Sequence, residues 1–344
     1  MADKLHAEEK ALAEATRERN HSEQVQNGSC TIVPFPRKVR TEPFRSELTI
    51  EQSSLFVANG YKKKHFTREW TLRGKNGDIV KRKLAVGKVN NKDEPRGVLK
   101  QVHQDVFYQL LQLWGKHGYK LGEYEGDAYG VLKISPYELV TSLRGSNNSD
   151  HYGRVQGLLR DMASIPVVVE NEYPDRREKD RIEFTLLNAV EWKELAVDMD
   201  THRPKPGGKS EVTILFSSMV TEGFLDKHYK TLLGAPYRSL GKKGELARLL
   251  YPYLDAQLAT KDHFHIKLQA LAERFGLTQH TRLSYRKRQF ENAVKSLNGK
   301  MIKSEEYVLR VSLRESIEED DYIFVAKREP NSQLRLFNDE ETEK

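Results

Sequence analysis

Leu283, Phe290, Val294 and Leu297 recur at helical spacing, and the residues between them are types that read nucleic acid. Tyr285, Arg288, Gln289, Asn292 and Ser296 fall on the opposite face, with Arg282 and Arg286 beside it. An arginine can donate two parallel hydrogen bonds to guanine O6 and N7, and Asn or Gln can pair with the adenine edge. Lys287, Arg282 and Arg286 suit phosphates, which fix register and carry no sequence information. Just upstream, Leu268 to Gln279 has the small residues and the Gly276 turn of a helix-turn-helix. A plain solvated helix face is the alternative reading of the same side chains.

Other chemistries are less well supplied. His263-Phe264-His265 would point both imidazoles to one side of a strand, where they could share a metal, with Tyr285 as a nucleophile. That set is the signature of metal-dependent rolling-circle nickases. Against it, a short strand is expected just before a helix-turn-helix, and no Asp or Glu is placed to complete the site. Gly234 and Gly241-Lys242 are too far apart for a phosphate-binding loop, and Lys243 stands where Ser or Thr is needed. No Ser-His-Asp or Cys-His arrangement can be assigned. The expectation is a protein without enzymatic activity, metal or cofactor.

The elements that must hold such a reader follow from the rest of the chain. Its 344 residues suggest two domains with tails, and 38% hydrophobic residues suffice for real cores. No apolar run is long enough for a membrane helix, and the charged start has no signal-peptide core. Cys30 is the only cysteine, which excludes an intramolecular disulfide and fits a reducing cytoplasm. The net charge is +7, and it is local: Tyr61 to Lys100 holds thirteen Lys and Arg against four Asp and Glu. Alternating apolar residues around Asn76-Gly77 predict a β-hairpin there. Lys81, Arg82 and Lys83 on that hairpin are candidates for DNA contact, weighed evenly against a solvated basic face.

Downstream, Val102 to Trp114 predicts an amphipathic helix. Ser135-Pro136-Tyr137-Glu138 is a capping box opening a short second helix, and Val155 to Met162 marks a third. Two strands, Ile165 to Val169 and Ile182 to Leu187, follow. Helix, short helix, turn, helix and hairpin is the order of a winged helix. After the Pro- and Gly-rich stretch 201–209 the order returns. The fold class expected is therefore α+β: two tandem winged-helix domains with flexible N- and C-terminal tails. The bounds are a disordered arm over 1–52, a first unit over 53–200 with the basic hairpin, a linker, a second unit over 210–329 as main reader, and a tail over 330–344. In the first unit His151, Arg154 and Arg160 are the phosphate candidates. Gly153 and Gly157 leave little to reach bases with and could admit another backbone.

Gln333-Leu334-Arg335-Leu336-Phe337 in the tail resembles the bacterial sliding-clamp-binding pentapeptide. A short extended peptide of this kind seats its apolar side chains in a pocket while Gln fixes the backbone. A last strand docked on the second unit is the alternative. Two winged helices, a basic hairpin and this peptide together resemble the replication initiators of theta-replicating bacterial plasmids, over Leu55 to Glu329 by layout and Gln333 to Phe337 by motif. The resemblance implies a second unit that reads direct repeats in duplex DNA at an origin, with Arg288, Gln289 and Asn292 on the bases. It implies a first unit that dimerises or adds DNA contact, a monomer–dimer equilibrium, and Gln333, Leu334, Leu336 and Phe337 on the clamp. Host initiator and replicative helicase are further partners, and the setting is cytoplasmic, on plasmid or nucleoid. The other functions weighed are a winged-helix regulator or autorepressor, the nickase, and a partitioning or nucleoid protein.

Overall fold

The chain enters its fold earlier than the composition suggests. In the computed structural model the described residues are 44–47, 50, 54–73, 79–87, 97–124, 127–144, 149–174, 178–193, 210–225, 229–241, 244–259, 261–277, 282–302, 306–316 and 321–331. Strand β1 (Phe44–Glu47) lies inside the stretch expected as a disordered arm, and Ile50 is 2% exposed. The arm therefore does not extend to residue 52. Strand β1 pairs with residues 229–232 and Ile50 joins the core, partners far along the chain that local composition does not reveal.

Strands β2 (Phe66–Arg73) and β3 (Ile79–Val86) pair antiparallel as the expected hairpin requires, and its turn residues Asn76 and Gly77 lie outside the described residues. Helix α1 (Gln101–Lys116) follows, with Val106, Phe107, Leu110, Leu111 and Trp114 buried. It ends where Gly118 and Tyr119 take left-handed backbone angles and Tyr119 N donates to Trp114 O. Strands β4 (Leu121–Tyr124) and β5 (Asp127–Ile134) lead to α2 (Pro136–Arg144). Ser135 Oγ accepts from Glu138 N at 3.1 Å, which makes Ser135 the cap of α2. The Glu138 carboxylate does not close the capping box; it faces His117 at 3.3 Å and Lys116 at 3.5 Å, because charged partners lie within reach. Helix α3 (Ser149–Ser164) is tied back to α1 by His103. Its Nδ1 accepts from Lys100 N, so the ring proton sits on Nε2 and is donated to Asp161 at 3.1 Å.

Strands β6 (Val167–Tyr173) and β7 (Glu178–Phe184) extend the first hairpin into a sheet of order β2-β3-β6-β7. Strand β8 (Leu187–Lys193) then pairs with β9 (Glu211–Phe216), which pairs with β5, giving the order β4-β5-β9-β8. Glu211–Phe216 was expected to open the second unit. It lies instead in a sheet with strands of the first. The reason is packing: Phe216 stacks on the Trp114 indole at 4.8 Å between ring centres, and Phe224 of α4 (Ser218–Leu225) reaches the same ring at 5.0 Å. Gly130 of β5 completes this cluster, since a Cβ there would stand 2.5 Å from the indole.

Strand β10 (Tyr229–Leu232) pairs with β1. Helices α5 (Gly234–Ser239) and α6 (Glu245–Gln257) precede β11 (His263–Lys267), α7 (Leu268–Arg274) and α8 (Leu283–Leu297). Strands β12 (Met301–Ile302), β13 (Tyr307–Glu315) and β14 (Tyr322–Pro330) close a sheet of order β11-β14-β13-β12. The helices cover one face of this sheet, with Phe290 of α8 against Phe324 of β14 at 6.1 Å.

The buried side chains form a single connected cluster from Ile50 to Ala326. A backbone bond crosses between the units: Ala58 N donates to Phe275 O at 2.9 Å. Asp105 of α1 accepts from Tyr237 at 2.6 Å and from Arg248 of α6. Burial first, and then the neighbouring Asp105 carboxylate, push the Tyr237 phenol well above its ordinary range. Tyr61 packs on Gly276, whose φ of +72° and whose lack of a side chain are both required there, since a Cβ would meet the ring at 2.5 Å. Arg274 of α7 lies over the rings of Trp70 and Tyr253. Beside it Arg68 is half-buried; desolvation, and after it the charge of Arg274, lower its pKa to about 9, so it stays charged at neutral pH.

Candidate nucleic-acid interface

Helix α8 presents its polar side outward because Phe290, Ala293 and Leu297 hold the other side in the core. At about 100° per residue, Tyr285, Arg288, Asn292 and Lys295 fall within one outward arc, and all four are exposed. Tyr285 is 46% exposed, unusual for so large a side chain. Arg282 is exposed at the N-terminal end. Lys295 was not among the expected readers, although its spacing of seven from Arg288 places it on the same line. Ser296, named on that face, is half-buried and turns its hydroxyl back to Asn292 O at 3.0 Å.

Three expected contacts point elsewhere. Lys287 Nζ donates to the Tyr322 hydroxyl at 2.9 Å and sits 4.4 Å from the centre of that ring. That hydrogen bond is the main reason its amine is held above the usual lysine range. Lys287 thus clasps α8 to β14 and does not join the outward row. Arg286 lies toward the packed side, and its Nε is buried. Gln289 stands at the edge of the face, with Oε1 buried and unbonded among the described residues. The wheel assigned it to the reading face, but only its position, and not its amide oxygen, is there.

The first unit offers less. On α3, Arg154 and Arg160 are exposed but stand about 120° apart around the axis, with Gly153 and Gly157 between them. A Cβ at either glycine would meet nothing within 4 Å. His151 is half-buried, and Asp161 beside the face is engaged by His103.

Lys81, Arg82 and Lys83 do not act as one patch, because successive residues of a strand point to opposite faces. Arg82 donates to Asn171 Oδ1 at 2.7 Å on one face. Lys81 and Lys83 are on the other, and there the neighbours are acidic. Glu69, Lys83, Glu170 and Arg181 lie in one row across four strands, and Glu172 stands between Lys81 and Lys179. Lys83 reaches Glu170 at 3.8 Å, Arg181 reaches it at 3.3 Å, and Lys179 reaches Glu172 at 3.7 Å. Each exposed pair contributes about 0–1 kcal/mol, but together they cancel most of the field a phosphate would feel. The paired acids Glu170 and Glu172 come from β6, outside the segment whose charge was counted.

His263 and His265 are exposed on the outer face of β11. The helix layer lies on the inner face, and Tyr285 points outward from that layer, so the structure does not bring the three together. Among the described residues no group of three or more His, Cys, Asp or Glu could hold a metal. Gln333, Leu334, Leu336 and Phe337 lie outside the described residues. No helix among those described is long and apolar enough to cross a membrane.

No family model and no curated protein matches this chain. Solved structures similar in backbone path include a selenomethionine derivative of domains 2 and 3 of RctB. It is 10% identical, with a TM-score of 0.48, over 82% of this chain and 98% of that one. A second crystal structure of RctB domains 2–3 is 11% identical, with a TM-score of 0.44, over 82% and 96%.

Proposed function

We propose that this chain is a sequence-specific duplex-DNA-binding protein of two winged-helix units that initiates plasmid replication. The observation that carries the reading is the outward row Tyr285, Arg288, Asn292 and Lys295 on α8, with Arg282 at its head. The row supplies a guanine reader, an adenine reader and flanking phosphate contacts on one continuous helix face. The element order from α6 to β14 supports the winged-helix reading, in which such a helix enters the major groove. The first unit, with split arginines and a self-neutralised sheet, serves as a secondary contact or a dimer surface in a monomer–dimer equilibrium.

The initiator role rests on the sequence resemblance to theta-plasmid initiators and on the clamp-type peptide Gln333 to Phe337. Binding at repeated sites distorts the duplex and helps open a neighbouring A·T-rich segment, with binding energy and not catalysis as the source. The peptide then recruits the sliding clamp. Host initiator and helicase are further partners on a cytoplasmic plasmid.

The test is a footprint of the protein on DNA flanking its own gene, at about 0.15 M salt because phosphate contacts are salt-dependent. An Arg288→Ala/Asn292→Ala variant runs alongside. Sites repeated at whole helical turns, and lost in the variant, are expected. A single inverted site over a promoter would favour a regulator, and uniform protection would overturn the reading.

A further inference from the structure

The sheet β11-β14-β13-β12 has an outer face that α8 does not share. Its register places His263, Lys327 and Arg310 in one row across three strands. His265, Val325 and Ser312 form the next, and Lys267, Ile323 and Arg314 the third. The partners on the inner face, Phe264, Ile266, Phe324, Ala326 and Leu309, are buried or packed on the core. So the rows face outward together, and Lys267, Arg310 and Arg314 are exposed. The one acid alternating into this face along β14 is Glu329, which accepts from Arg310 at 2.8 Å. Among the described residues Arg314 and Lys327 have no acidic partner. The sheet of the first unit is built from the same kind of cross-strand rows, yet there cations alternate with glutamates.

We infer that this outer face binds the phosphate backbone of a second DNA duplex, separate from the one read by α8. Charge complementarity identifies the occupant as a polyanion. On β13, Arg310 and Arg314 stand four residues apart, about 13 Å at a strand's rise, with Lys327 and Lys267 in the same rows. Binding of single strands depends on aromatic stacking platforms, and no Phe, Tyr or Trp occupies these three rows, so a duplex is the better fit. Direction makes it a second duplex. Helix α8 packs its Phe290 side on the inner face and turns Arg288 away from the sheet, so the two surfaces point in opposite directions. One straight duplex cannot lie on both. The inference rests on the DNA-binding reading above for the first duplex only.

The experiment is a bridging assay with the full chain. A biotinylated duplex carrying a footprinted site is held on beads, and a fluorescent random-sequence duplex or single strand is offered in solution. The wild-type chain is expected to retain the bead duplex and capture the fluorescent duplex. Lys267→Glu/Arg314→Glu/Lys327→Glu is expected to retain the bead duplex, which reports its fold, and to lose capture about tenfold or more. Equal capture by the variant, wild-type retention without capture, or capture of the single strand alone would each overturn the inference. Failure to retain the bead duplex would overturn the DNA-binding reading as well.

Discussion

The two units share an order of elements and differ in what they leave facing solvent. Helix α8 carries Tyr285, Arg288, Asn292 and Lys295 in one outward arc, whereas α3 carries glycines along the middle and arginines on opposite shoulders. Their sheets differ in the same sense. Rows in the first alternate Glu69, Lys83, Glu170 and Arg181, and rows in the second gather Lys327 with Arg310 and Lys267 with Arg314. The lesson is that the count of cations does not locate a nucleic-acid surface. In the stretch with the largest formal excess, Tyr61 to Lys100, Lys83 is paired with Glu170 and Lys81 faces Glu172 of a neighbouring strand. In the second unit Arg310 meets Glu329, while Arg314 and Lys327 have no acidic partner among the described residues.

This contrast can be broken most directly at the helices. Arg288→Ala and Asn292→Ala are each expected to weaken site binding by about 1–3 kcal/mol and to relax base preference. Arg154→Ala with Arg160→Ala should weaken site and random DNA alike and flatten the salt slope. Titrations of both variants on site and random duplexes at several salt concentrations decide it, and matching losses of specificity would erase the difference between the units.

The next effect concerns what holds the units together. Asp105→Ala leaves Arg248 and Tyr237 without their shared acceptor in a partly buried junction, with Arg248 only 15% exposed. A loss of about 3 kcal/mol is expected, toward the lower end for breaking a buried pair. Denaturant unfolding measures it, and a loss below about 1 kcal/mol would mean the junction is solvated.

The glycines give a smaller and opposite pair of outcomes. Gly130→Ala drives a methyl into Trp114 and should cost about 1–3 kcal/mol. Gly157→Ala has open space and should stabilise α3 by about 0.5–1 kcal/mol. If Gly157→Ala also leaves self-association and DNA binding unchanged, no backbone approaches α3 there.

The smallest effect is a pH dependence. Tyr237 titrates above its unfolded value of about 10, so its stabilisation is complete below that pH and is lost as pH rises through the folded pKa. Thermal unfolding of Tyr237→Phe should therefore fall less than wild type between about pH 9.5 and pH 11. Identical slopes would remove Tyr237 from the alkaline loss.

What the sequence discloses divides along the range of the forces involved. The cap at Ser135, the hairpin around Asn76-Gly77 and the outward line of α8 depend on neighbours within one turn or one strand, and each is readable locally. Strand β9 is readable as a strand but not as a partner of β5, since that choice is made by Trp114 about a hundred residues earlier. Lys287 looks equivalent to Arg288 until Tyr322 arrives from another strand to engage it. The Asp105 junction joins residues more than a hundred positions apart and leaves no local trace. The alternation of Lys81, Arg82 and Lys83 is visible, but the glutamates that two of them face lie on a strand whose register no pattern fixes.

The aromatic cluster around Trp114 also sets a clock on synthesis. The indole emerges with α1, but Phe216 and Phe224, which cover it, follow about 110 residues later. At ribosomal speeds of about 5–20 residues per second, the first unit waits roughly 5–20 s with the Trp114 indole covered on one side only, by Tyr119. During that interval the nascent chain exposes apolar surface that the finished protein covers.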